Sequence, residues 1–107
     1  MINIRIKWKD EPFSLMLDGH ANAGRNEHDH DLVCCAVSTL VQTLGVSCVS
    51  LPDLNTRYQA QDGHVEILVT GTEAHWDKLV PRFEMAIDGL TVLANQYPQH
   101  VTLTVEE

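Results

Sequence analysis

Ile2, Ile4 and Ile6 alternate with Asn3, Arg5 and Lys7. This period-2 pattern constrains the fold more than any other feature, because only an extended chain sends every second side chain to one face. The N-terminal segment is therefore a half-buried strand, closed by Trp8. The cluster Lys9-Asp10-Glu11-Pro12 reads as a turn, and residues 13–18 form a second short extended run leading into Gly19-His20. Together they make a hairpin. From Ala21 to Asp31 no apolar residue follows Ala23, so this stretch is expected to be an exposed loop.

Residues 32 to about 44 change to helical spacing. At about 100° per residue, Ala36, Val37, Leu40, Val41 and Leu44 fall on one face centred near Val33. That face is expected to be core. Gly45 is the expected stop, and residues 46–51 read as either a further turn or an extended link before Pro52. Two extended runs, 56–60 and 65–70, then flank Asp62-Gly63, a dipeptide suited to a tight hairpin turn. Gly71-Thr72 introduces a second helix with Thr72 as N-cap and Trp76, Leu79, Val80, Phe83, Ile87, Leu90 and Leu93 at helical spacing. Pro81 is expected to kink or restart it. Tyr97-Pro98 ends it, and Val101, Leu103 and Val105 alternate with threonines in a last strand. The expected architecture is a single α+β domain over residues 1–107, in the order ββαββαβ.

Composition narrows the partners. Seven Lys and Arg against fifteen Asp and Glu in 107 residues give a net charge of −8, and the basic residues are scattered from Arg5 to Arg82. Phosphate recognition needs such residues clustered, so neither a direct nucleic-acid contact nor an anionic membrane surface is expected. A basic partner is easier to accommodate. No stretch is expected to reach the roughly 18 to 20 apolar residues of a membrane span, and the alternating N-terminus is unlike a signal peptide. The expected location is cytoplasmic. Cys34, Cys35 and Cys48 are odd in number and form no CxxC pair, so reduced thiols are expected.

Cys34 is the first candidate for chemistry. With Asp31 as N-cap, Cys34 falls in the first helical turn, where unpaired backbone N–H groups and the positive end of the helix dipole favour a thiolate. It lies at the rim of the core face, whereas Cys35 points away with Thr39 and Gln42. The plainer reading makes both cysteines small packing thiols. His20, at a strand-to-loop junction, can serve as general base if the fold brings it within reach of a thiol; otherwise it is a surface histidine. The run Glu27-His28-Asp29-His30-Asp31 offers metal-ligand chemistry with Cys34. However, the two histidines are only two residues apart, no second ligand cluster exists elsewhere, and ligation by Asp31 would sacrifice the cap. A solvated acidic loop is preferred, and no metal or other cofactor is expected. A Cys34–Cys35 disulfide would break the helix. Trp76, Phe83 and the methionines are read as packing.

With these residues placed, the chain resembles the ribosomal-processing cysteine protease family. The family's Gly-His-Ala triplet corresponds to Gly19-His20-Ala21. Its Asp-Ile-Val-Cys-Ala-Ala-Val-Ser helix start corresponds to Asp31-Leu32-Val33-Cys34-Cys35-Ala36-Val37-Ser38. The Asp62-Gly63 hairpin, Gly89-Leu90 and Tyr97-Pro98 follow the family's order over nearly the whole length. The resemblance implies a mixed sheet, a homodimer, and a cysteine endopeptidase that removes an N-terminal extension from a large-subunit ribosomal protein precursor. It implies His20 as base and Cys34 as nucleophile, with Asp31 and Ser38 supporting. It also implies that the loop carrying Gly24, Arg25 and Asn26 meets substrate.

Three departures stand out. The loop between His20 and Cys34 is longer than the family pattern, Asp29 stands where the pattern has glycine, and Cys35 replaces an alanine. Backbone N–H groups at the start of the Cys34 helix are the expected oxyanion donors. Two other readings of the residues are a non-catalytic peptide-binding or ribosome-assembly module on the same scaffold, and a metal-dependent hydrolase using His28 and His30.

Overall fold

The computed structural model describes residues 1–20 and 32–107. Five strands form one sheet: β1 (Ile2–Lys7), β2 (Phe13–Gly19), β3 (Asn55–Gln61), β4 (His64–Thr70) and β5 (Val101–Glu106). Helix α1 (Leu32–Val49) connects β2 to β3, and α2 (Trp76–Gln96) connects β4 to β5 through a short 3-10 turn, Glu73–His75. The strand order is β3-β4-β2-β1-β5. Only β1 and β5 pair in parallel; the other three pairings are antiparallel. The expected mixed five-stranded sheet in the order ββαββαβ is what forms.

The alternation in β1 buries Ile2, Ile4 and Ile6, and the paired strands bury Phe13, Leu15 and Leu17 in β2 and Val65, Ile67 and Val69 in β4. Register fixes these residues in rows, with Ile4 opposite Leu17 and Leu17 opposite Val65. Against this surface lie Val33, Val37, Val41, Leu44 and Cys48 of α1 and Leu79, Phe83, Ala86 and Leu90 of α2. Phe13 meets the Phe83 ring edge-on at 5.2 Å and the Trp76 ring at 6.1 Å. The wheel centred on Val33 is thus the buried face.

Several local expectations are corrected. Gly45 does not stop α1, which runs on to Val49. It is buried, and a Cβ there would lie 2.7 Å from the Tyr58 ring of β3, so this glycine permits close helix-to-sheet packing. Thr72 caps no α-helix with its side chain; it precedes the 3-10 turn, and its fully buried hydroxyl has no hydrogen-bond partner among the described residues. Pro81 does not divide α2. The carbonyl it leaves without a donor belongs to Asp77, and both residues are exposed, so water can satisfy it. The methionines do not pack in the core: Met85 is 78% exposed, and Met1 and Met16 are also exposed. Met85 lies on the outer side of α2, and Met16 on the face of β2 away from the helices.

One composition-based expectation also changes. Helix α1 is by length and composition apolar enough to cross a membrane. It contains no charged residue, its polar positions being Ser, Thr and Gln. In the fold its apolar stripe lies on the sheet.

Candidate active site

Two segments meet at the end of the sheet where β2 stops. Gly19 closes that strand at φ +100°, a conformation L-residues rarely adopt, and a Cβ there would collide with the carbonyl oxygen of Met1. Its N–H donates to the Gly63 carbonyl at 2.8 Å, which ties the strand end to the β3–β4 turn. The next residue, His20, therefore leaves the sheet directly over that turn. Its Nε2 stands 3.7 Å from Asp62 Oδ1, and a Cβ on Gly63 would lie 2.9 Å from Nε2. The His20 side chain is 48% exposed, open enough to meet a ligand.

Helix α1 supplies another part of the lining. Cys34 is in its first turn, partly buried and packed against the core, and Ser38 follows one turn later. Cys34, Ser38 and His20 all line one open groove of about 360 Å³, together with Gln42 and the hairpin residues 60–65. The apolar residues Ile2, Leu17, Val37 and Val65 also contribute to its lining. Of the residues singled out from sequence, the fold therefore unites His20, Cys34 and Ser38. Asp31, the segment carrying Gly24, Arg25 and Asn26, and the ligand-like residues Glu27 to Asp31 lie outside the described residues. Among the described residues, no group of three or more His, Cys, Asp or Glu could hold a metal ion.

The other thiols are segregated. Cys35 is exposed on the outer side of α1. Cys48 is fully buried, and burial pushes its pKa up to about 11, opposed by a hydrogen bond with Ser47 and the charge of Arg82. A thiol held so far up is neutral near pH 7 and a poor nucleophile.

Sequence reasoning missed the contribution of the hairpin. Asp62 and Gly63 were legible as a turn, but not as the wall behind His20, and His64 drew no notice. His64 lines the groove and places Nδ1 2.6 Å from Asp18 Oδ1, with Glu66 3.8 Å from Nε2. The Asp18 hydrogen bond raises the His64 pKa above the ordinary histidine value, partly opposed by desolvation. The signal was register: Asp18 lies directly opposite His64. That pairing joins residues too distant in sequence for periodicity to link.

A thiol and an imidazole lining one open groove are the two groups that acyl transfer by a cysteine needs, the imidazole moving the proton. The comparisons fall into line with this chemistry. A family model described as cysteine protease Prp matches residues 1–102. The ribosomal processing protease Prp from S. aureus, solved with a covalently linked product peptide, is 24% identical with a TM-score of 0.80, covering 99% of this chain and 100% of that one. The same S. aureus protease with a substrate peptide is 22% identical, with a TM-score of 0.76 and coverage of 99% and 100%. SMU.848 from Streptococcus mutans is 28% identical, with a TM-score of 0.72 and coverage of 99% and 94%. No curated protein matches the chain.

Proposed function

The chain belongs to the Prp family of cysteine proteases, and from that membership we propose that it removes the N-terminal extension of a large-subunit ribosomal protein precursor, with Cys34 as nucleophile and His20 as base. The observation that carries this reading is the shared groove: Cys34 and His20 line one opening of about 360 Å³, whose lining mixes polar side chains with apolar ones. The S. aureus relatives are described as ribosomal processing proteases bound to substrate or product peptides, which supports the same substrate class here.

The chemistry follows from the two groups. His20 takes the Cys34 thiol proton, or pairs with a thiolate already formed, and the sulfur attacks the scissile carbonyl. A C–S bond forms, and the carbonyl electron pair moves onto oxygen. When that pair returns, the C–N bond breaks, and imidazolium gives its proton to the departing amine. Water, deprotonated by His20, then adds to the thioester and releases the new carboxyl terminus and the Cys34 thiol. The start of α1, which holds Cys34, is our assignment for oxyanion stabilisation, since the positive end of a helix dipole favours developing negative charge. Ser38 borders the same groove, and we assign it a supporting role there. The chain's net charge of −8 suits a basic protein tail, an effect felt mainly in encounter rate.

We also place the working form as a homodimer. The surface that supports this is the outer side of the helix layer, where Val46, Met85 and Val92 are exposed and α1 carries no charge. In a chain of net charge −8, the uncharged α1 is the part of this side that a second copy can approach with least repulsion, the neighbouring part of α2 carrying Glu84 and Asp88 beside Lys78 and Arg82. Sedimentation of wild type against Met85→Glu reads this out: a dimer that becomes a monomer supports it, and a wild-type monomer refutes it.

The central test is incubation of the full-length ribosomal protein precursor with wild type, Cys34→Ala and His20→Ala, read by mass. Cleavage by wild type and by neither variant is expected. Normal cutting by Cys34→Ala overturns the assignment.

A further inference from the structure

We propose that Asp62 is a positioning residue for His20, and that the Asp18–His64 pair holds the turn that presents it. This inference rests on the reading of His20 and Cys34 as the reacting pair. Among the described residues, Asp62 is the carboxylate within ion-pair distance of His20, its Oδ1 lying 3.7 Å from Nε2. That separation is slightly longer than a hydrogen bond, as is common in unliganded sites, and Asp62 is 96% exposed, so rotation of its side chain is free to close it. A carboxylate facing Nε2 favours the tautomer with the proton there. It leaves the Nδ1 lone pair to receive a proton from sulfur and stabilises the imidazolium once that proton arrives.

The turn is not left to drift. Gly63, at φ +75°, keeps space open beneath the imidazole, and its carbonyl accepts from Gly19, the residue before His20. On the other side of the turn, His64 Nδ1 is 2.6 Å from Asp18 Oδ1, two residues before His20. The strand end and the turn are thus tied on both sides of the proposed base. Among the described residues, the titratable and charged groups around it are Asp62 from the hairpin, Cys34 from α1 and the Met1 amino nitrogen, which donates to the His20 carbonyl at 2.5 Å, while Asp18 and His64 pair on the face of the sheet away from the helices. Asp62 is the member of this set that faces the ring nitrogen.

The test requires no knowledge of the natural peptide. Iodoacetamide alkylation of Cys34, resolved from Cys35 and Cys48 by peptide mass, is followed against pH in wild type, Asp62→Asn, Asp62→Glu and His20→Ala. Loss of Asp62's charge should slow Cys34 alkylation near pH 6 by about fivefold, the effect of one unit charge at this distance in a solvated setting. In alkaline solution, where any exposed thiol ionises without help from a neighbouring cation, the rates should converge. Asp62→Glu should restore most of the rate, and added salt should shrink the difference between wild type and Asp62→Asn. A turn residue with a purely structural role would alter melting without moving this pH profile. If His20→Ala slows Cys34 near pH 6 while Asp62→Asn behaves as wild type, the positioning role falls and the dyad stands. If His20→Ala has no effect, the dyad reading falls, and this inference falls with it.

Discussion

Replacing Gly63 with alanine, and separately Gly71 with alanine, isolates the part of the site that depends on open space beneath His20. Both glycines sit in the left-handed region at nearly equal angles, φ +75° and +73°. An L-residue held there is strained by about 1–2 kcal/mol, partly offset by about 0.4–1 kcal/mol from a less flexible unfolded chain. Each variant should therefore lose about 1 kcal/mol, lowering the melting temperature by about 4–8 °C for a chain near this size. Their surroundings differ. A Cβ at Gly71 meets nothing within 4 Å, whereas at Gly63 it lies 2.9 Å from His20 Nε2, and ordinary contact begins at 3.4 Å. The imidazole must therefore retreat by at least about 0.5 Å, near the tolerance of a catalytic constellation. Displacement approaching 1 Å costs up to about 100-fold in rate. The assay is single-turnover cleavage of the precursor protein, with thermal melting of the same samples. Matched melting losses should accompany a cleavage defect in Gly63→Ala alone. Full activity in Gly63→Ala, or an equal loss in Gly71→Ala, would refute the argument that the turn sets the position of His20.

Two further outcomes follow from buried positions. The Cys48 thiol, held neutral by burial with a pKa of about 11 against an ordinary 9.0, contributes stability that is complete below pH 9 and lost as pH rises toward 11. By linkage the loss amounts to roughly 2–3 kcal/mol. Urea titrations across this interval should show it, and Cys48→Ala should flatten the decline; an equally steep decline in that variant would count against the assignment. Gly45→Ala should destabilise despite a gain of about 1 kcal/mol in helix propensity, because the new methyl would sit 2.7 Å from the Tyr58 ring. In a Tyr58→Ala background the same change should become stabilising, and thermal melting of the four proteins gives the sign in each case.

The sequence by itself determined the elements and their buried faces. The Ile2-Ile4-Ile6 alternation and the Val33-centred wheel are local periodicities, and burial follows them because each sets which side chains share a face. It also marked His20, Cys34 and Ser38, through strand end, helix start and the spacing that resembles a family. Only the tertiary structure decided that these three share a groove, and that the Asp62-Gly63 turn forms its wall. Asp18 faces His64 across 46 positions of sequence through strand register. Gly45 looked like a helix stop because propensity is local, yet the Tyr58 ring from another element makes that glycine part of the packing. Met85 looked like core because helical spacing does not say which neighbours exist, and in the fold it is 78% exposed. Periodicity says which way a side chain faces along its own element; what it meets there is set by pairings between distant segments, which arise only when the sheet and helices assemble.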